Sequence, residues 1–157
     1  MKKLGVNYLD FEDVLSQSDI LSLHCPLTPE THHLINADTL KTMKQGAMLV
    51  NTSRGKLVDT ASVIESLKED HLGSLAIDVY EQEEKLFFRD LSELIIRDDQ
   101  IARLMLFPNV LITSHQGFFT KESLEEITRI TLQNIEDYEA GRESENEVSC
   151  KLLKDCK

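Results

Sequence analysis

An arginine, two carboxylates and a histidine each follow a short apolar run in this sequence. Ala47-Met48-Leu49-Val50 leads into Asn51-Thr52-Ser53-Arg54-Gly55. Leu75-Ala76-Ile77 leads into Asp78, with Glu83 five residues on, and Val110-Leu111-Ile112 leads into Thr113-Ser114-His115. A fourth run, Ile20-Leu21-Ser22-Leu23, leads into His24-Cys25-Pro26. Ligands of open α/β sheets bind at the carboxyl ends of parallel strands, so side chains delivered there meet in one site. A guanidinium grips a carboxylate through two parallel hydrogen bonds, the geometry that orients a 2-hydroxy or 2-keto acid. A neutral imidazole takes a hydroxyl proton as hydride leaves the carbon and returns it in reduction. A carboxylate beside it favours the charged ring and fixes its orientation, which makes Glu83 the natural partner of His115.

Taken singly, each residue also has a plainer reading. Arg54 would be an exposed arginine in a polar turn. His115 would make a structural hydrogen bond at a strand terminus. Glu81, Glu83 and Glu84 would form a solvated acidic turn, and Asp78 would cap the turn after its strand. The alternative for Asp78 is to bond a nicotinamide amide or the adjacent ribose. Cys25-Pro26 offers either a flat apolar wall to a cofactor or a strand-ending turn. It is the order Arg, Glu, His on successive strand ends that points to hydride transfer at a hydroxyl carbon.

The elements that must position these residues follow from pattern. Ile20 to His24, Ala47 to Asn51, Ser74 to Asp78 and Asn109 to Thr113 read as strands, and Leu4 to Leu9 as a weakly alternating fifth. Asp10 is placed to cap a helix through Val14 and Leu15, and Asn36 one carrying Leu40 and Met43. Asp59 begins a helix with Val63, Ile64 and Leu67 on one face. Glu81 to Asp99 is a charged, irregular excursion before a short helix through Ile101, Leu104 and Met105. Thr120 caps a long helix with Leu124, Ile127, Thr131, Ile135 and Tyr138 on one stripe, ended by Gly141. Near-continuous apolar strands alternating with amphipathic helices predict a parallel sheet covered on both faces.

The 157 residues fit one domain with a core of its own. A formal charge of −11 argues against a nucleic-acid backbone as partner, because phosphate binding needs clustered Lys and Arg. No apolar stretch approaches the ~20 residues that span a bilayer, and the start lacks a signal-peptide core, so the expected location is the cytoplasm. The three cysteines are scattered, which fits a reducing compartment, and the spacing of His24, Cys25, His32 and His33 matches no metal site.

Ser18-Asp19-Ile20-Leu21-Ser22-Leu23-His24-Cys25-Pro26-Leu27-Thr28-Pro29-Glu30-Thr31, Val50-Asn51-Thr52-Ser53-Arg54-Gly55, Ala76-Ile77-Asp78-Val79-Tyr80-Glu81-Gln82-Glu83 and Thr113-Ser114-His115-Gln116-Gly117-Phe118-Phe119-Thr120 closely resemble the NAD-dependent D-isomer-specific 2-hydroxyacid dehydrogenases. The Glu84 to Asp99 excursion resembles the fermentative D-lactate dehydrogenases within them. The resemblance implies reversible hydride transfer between NAD(H) and a 2-hydroxy or 2-keto acid such as lactate or pyruvate. By the same resemblance Arg54 binds the substrate, His115 exchanges the proton, Glu83 tunes it and Asp78 contacts the cofactor. Cys25, Pro26, Thr31, Thr52 and Ser53 complete the cofactor cleft, with Thr31 standing where close relatives often place asparagine. The family is typically homo-oligomeric.

No G-x-G-x-x-G turn occurs in the sequence. In the family the glycine turn, the ribose-binding acid and a separate substrate domain precede the segment that corresponds to Leu4. The expected fold is therefore α/β, an incomplete Rossmann-like parallel sheet lacking the first strand-helix-strand unit. Residues 1–148 form a partial NAD-binding domain and 149–157 a C-terminal tail. Two outcomes are open: catalysis that needs the other half, which a separately encoded polypeptide would supply, or an inactive remnant or protein-binding module of the same fold. Without the missing strands, Ile20 to His24 is expected as an exposed hydrophobic edge.

Overall fold

The computed structural model describes residues 5–86 and 97–148. Two compact units result, Met1–Gln116 and Gly117–Lys157. Most of the 81–99 excursion and the 149–157 tail lie outside the described residues.

The first unit is built on a four-stranded parallel sheet in the order β1 (Ile20–Leu23), β2 (Met48–Asn51), β3 (Ser74–Ile77), β4 (Val110–Ile112). Each strand is joined to the next by a crossover. Those crossovers carry α2 (Ala37–Thr42), α3 (Thr60–Lys68) and α4 (Asp99–Leu104), while α1 (Phe11–Gln17) precedes β1. The helices pack in succession, α1 on α2, α2 on α3 and α3 on α4. A monotonic strand order with right-handed crossovers winds every connection onto the same face. Residues 5–10 form no strand, contrary to the alternation around Leu9; Val6, Tyr8 and Leu9 are all exposed. With no neighbouring strand to pair with, the local propensity of this segment is not enough.

Burial alternates along the sheet. Leu21, Leu23, Leu49, Asn51, Leu75 and Ile77 point into the core, where Leu15, Ile35, Leu40, Leu57, Val63, Leu67 and Leu104 meet them. Ile20, Met48 and Leu111 stand exposed on the opposite side. Within this unit the helices thus cover one face, and the apolar character of the other strand positions is left unused. The β1 edge is exposed at Ile20, whereas Leu21 and Leu23 are buried.

Caps fix where the crossovers turn. Asn36 Oδ1 accepts from the Asp38 and Thr39 amides while Thr39 Oγ1 accepts from the Asn36 amide, a reciprocal box that starts α2. Asp10 precedes α1 with no side-chain cap bond. Asp98 caps α4 through the Gln100 and Ile101 amides. Gly46 takes a left-handed φ of 82° between α2 and β2, where any side chain would be strained.

In the second unit Thr120 Oγ1 accepts from the Ser123 amide and starts α5 (Lys121–Glu139). No described residue of α5 is buried, and Leu124, Ile127, Ile135 and Tyr138 form the expected stripe. Ser144 and Asn146 bond Asn134 Oδ1, folding the segment after the helix back along it.

Replacing Asn36 by alanine removes the side-chain half of the box and leaves only the backbone amide of residue 36 on the Thr39 hydroxyl. We expect a loss of about 1 kcal/mol, read as a lower urea midpoint with an unchanged m-value.

Candidate active site

Parallel register brings Leu23, Asn51, Ile77 and Ile112 to one level, so the residues after them emerge along one edge of the sheet. Asn51 ends β2 as a polar side chain only 1% exposed. Its Oδ1 accepts from the Ser53 amide at 3.1 Å and its Nδ2 donates to the Arg54 carbonyl at 2.9 Å, so the buried amide shapes the loop that carries Arg54. Ser53 Oγ donates to the Cys25 carbonyl at 2.6 Å and ties this loop to the end of β1. His24, Cys25, Pro26, Leu27, Ser53 and Arg54 line one open groove there. The Arg54 guanidinium is exposed, with Nη1 donating to the Ser53 carbonyl; among the described residues no carboxylate pairs with it.

Gly55 is pressed against the next loop. A Cβ at this position would fall well inside contact distance of the Tyr80 carbonyl and the Glu81 nitrogen, both backbone groups that cannot swing aside. Beyond it, residues 80–83 form a turn closed twice. The Glu83 amide donates to the Tyr80 carbonyl at 3.2 Å, and the Tyr80 amide donates to Glu83 Oε2 at 2.9 Å. The Tyr80 ring is buried and its hydroxyl donates to both Asp98 carboxylate oxygens at 2.9 Å. Burial, followed by the Asp98 acceptor, pushes that phenol well above its ordinary range and keeps it a donor.

The three clustered glutamates have different fates. Glu81 turns inward, accepting from His33 Nε2 at 2.8 Å and from Thr60 Oγ1 at 3.0 Å. Glu84 is exposed. Glu83 places Oε1 3.1 Å from His115 Nδ1. Because a carboxylate only accepts, the bond requires the proton on Nδ1, and proton exchange with a substrate falls to Nε2. Side-chain exposures of 34% for His115 and 16% for Glu83 leave the pair reachable from one side. Glu83, Arg54, Leu27 and Lys56 line a single concavity, so the cation and the carboxylate that holds His115 share one space.

His115 adopts a left-handed φ of 53°, uncommon for a side chain other than glycine and tolerated best by Asn, Asp and His. Its amide donates to the Asp78 carbonyl at 2.7 Å. The Asp78 carboxylate accepts from the Gln116 amide at 3.0 Å and from the Thr113 hydroxyl, so the ends of β3 and β4 are bound to each other.

The structure thus brings Glu83 to His115 and into one concavity with Arg54, and sets Cys25, Pro26 and Ser53 beside Arg54. Thr31 does not join them through its hydroxyl, which accepts from the Thr28 amide at 2.7 Å and donates to the Pro26 carbonyl at 2.8 Å. It closes the turn behind Pro26. Thr52 is exposed beside the loop. Sequence reasoning missed the support. Asn51 could have been noticed as a polar residue closing an apolar run, but nothing local marks Gly55, His33 or Glu81.

The donor set fits the nicotinamide end of a dinucleotide. A flat Cys25-Pro26 wall suits a planar ring, and the Asp78 carboxylate, held by the Thr113 hydroxyl and the Gln116 amide, is an acceptor at the same strand ends. This sequence holds no glycine-rich turn to take the pyrophosphate.

Residues 1–117 match the family model of the D-isomer specific 2-hydroxyacid dehydrogenase NAD binding domain. The chain belongs to that family. It is 56% identical over 142 residues to a 2-hydroxyacid dehydrogenase homolog of Zymomonas mobilis, covering 90% of this chain and 43% of the relative. It is 50% identical over 146 residues to the D-lactate dehydrogenase of Escherichia coli, covering 93% and 44%. Among solved structures, apo D-lactate dehydrogenase from Escherichia coli superposes with a TM-score of 0.80 at 46% identity, covering 94% of this chain and 43% of that one. The Aquifex aeolicus D-lactate dehydrogenase complexed with NAD and lactic acid superposes with a TM-score of 0.80 at 37% identity, covering 89% and 43%. The chain therefore spans less than half the length of these relatives.

Gly55→Ala is expected to destabilise the protein by about 1–3 kcal/mol or more, since the added methyl meets backbone on two sides. Chemical denaturation reads this directly, and an unchanged midpoint would show that the two loops are not in contact in solution.

Proposed function

We propose that this chain carries the substrate-gripping and proton-exchanging residues of a D-2-hydroxyacid dehydrogenase acting on a small 2-keto acid such as pyruvate. The observation that carries the reading is the Glu83–His115 pair, whose Glu83 lines the same concavity as Arg54. Arg54 holds the substrate carboxylate through its forked donors and turns the carbonyl toward His115. His115 Nε2 donates its proton to the carbonyl oxygen in reduction and accepts the hydroxyl proton in oxidation. Glu83 keeps the Nδ1 proton in place, so the ring stays oriented in both directions and its positive charge is balanced. When bound, NADH supplies the hydride. Cys25, Pro26, Thr52 and Ser53 form the wall beside it, Asp78 accepts from its polar groups, and Thr31 braces that wall.

Two features support a second contributor to activity, namely residues that hold the pyrophosphate and complete the substrate cleft. The sequence has no glycine-rich turn, and one face of its parallel sheet is uncovered at Ile20, Met48 and Leu111. Parallel sheets are stable with both faces packed. The missing layer would come from further residues of the same polypeptide or from a separately encoded half, and the α5 stripe offers a second apolar surface for it or for another copy. Among the described residues no helix is long and apolar enough to cross a membrane. The location proposed for this family member is a reducing compartment, the cytoplasm, from its scattered cysteines.

The test is NADH oxidation with pyruvate, by the chain alone and joined or mixed with a substrate domain bearing a glycine turn. Turnover is expected only with that domain present. In the active form His115→Gln should lower kcat about 10²–10⁴-fold. Arg54→Lys, which replaces the fork by a point charge, should lower kcat/KM with a cost of roughly 2–5 kcal/mol. A folded assembly that binds NADH yet never turns over would favour the protein-binding module instead. Turnover by the chain alone would remove the need for a second contributor.

A further inference from the structure

Glu81 sits two residues from Glu83 and lines the same concavity, yet its carboxylate bonds to His33 and Thr60 rather than to His115. Its oxygens are divided between two separate elements. Oε1 accepts from His33 Nε2 at 2.8 Å, and Oε2 accepts from Thr60 Oγ1 at 3.0 Å and from the Thr60 amide at 3.4 Å. Thr60 is the first residue of α3, so the carboxylate also lies at the positive end of that helix. His33 is itself held in an uncommon conformation, with φ at 51°, its amide donating to the Lys56 carbonyl at 2.9 Å and its ring stacked on His32 with centroids 4.0 Å apart. The Asn36 side chain donates to the His33 carbonyl at 3.0 Å and so links this residue to the α2 cap. A partly buried carboxylate with three donors and a histidine held on both backbone groups make a costly arrangement for a surface turn.

We infer that His33 and Glu81 are positioning residues: clamped between His33 and Thr60, the Glu81 side chain fixes the 80–83 turn and thereby places Glu83 Oε1 against His115 Nδ1. The inference rests on the Glu83–His115 reading above. The route is short. Glu83 is bonded twice to Tyr80, Tyr80 and Glu81 back onto Gly55, and His33 and Thr60 supply the side-chain hydrogen bonds of Glu81. Releasing Glu81 frees the turn to pivot about Tyr80, whose ring stays anchored on Asp98. The first bond to suffer is the one reaching furthest, from Glu83 across to β4.

The readout is the tautomer of His115, taken from the 15N shifts of its ring nitrogens in the whole labelled chain at a pH where imidazoles are neutral. Wild type is expected to show the Nδ1–H form that Glu83 selects, and Glu83→Ala to lose it. Glu81→Ala and His33→Leu should move the His115 shifts toward those of Glu83→Ala. His33→Gln, whose amide can donate to the same oxygen, should keep the wild-type shifts. Should Glu81→Ala fail to fold by circular dichroism, Thr60→Val, which deletes one donor and keeps the shape, carries the same expectation. A merely structural clamp would lower the melting temperature and leave the tautomer alone, so folded His33→Leu with wild-type His115 shifts overturns the inference. If Glu83→Ala itself leaves the shifts unchanged, the Glu83–His115 pair is what fails, and the clamp falls with it.

Discussion

In the first unit the backbone of Gly55 is pressed against the peptide joining Tyr80 to Glu81. Nothing larger than a hydrogen fits on that Cα, and the partners are backbone atoms that cannot rotate away. The loop that carries Arg54 and the turn that carries Glu83 are consequently one mechanical piece. Asn51 fixes the first loop from beneath, and Tyr80 anchors the second through Asp98. A substrate needs its carboxylate held at a set distance from the group that exchanges its proton, and a rigid contact between the two supporting loops supplies that constraint.

The same constraint separates carboxylates that look equivalent in sequence. Glu81, Glu83 and Glu84 are near neighbours on a short turn, yet one faces α3, one faces β4 and one faces solvent. The difference comes from the donors that each meets. Thr60 and His33 occupy Glu81, whereas His115 arrives from a strand 32 residues away in sequence. Electrostatic function in this fold therefore depends on which backbone the turn is pressed against, because the turn's own composition offers three interchangeable acids.

The sheet shows a comparable division between its faces. Every strand is apolar enough to be buried on both sides, but the monotonic order β1-β2-β3-β4 winds α2, α3 and α4 onto one of them. Ile20, Met48 and Leu111 are the residue of a pattern suited to a further layer. Family membership and a span of less than half the relatives' length are consistent with that pattern.

The sequence by itself determined the four strands, the order of the helices and the caps at Asn36 and Thr120, because periodicity and capping chemistry are local. It also determined that Arg54, Asp78, Glu83 and His115 follow strand ends, and a parallel sheet turns that fact into proximity. It misjudged residues 5–10, where weak alternation had no neighbouring strand to pair with, and it could not show that only one sheet face is covered within the first unit. The sequence also pointed to Glu83 as the partner of His115, but only the tertiary structure decided that Glu81 turns to Thr60, that Thr31 serves the turn behind Pro26, and that His33 belongs to Glu81. Each of these is a contact between residues distant in the chain. Such contacts are set by register and close packing, to which no local pattern is sensitive.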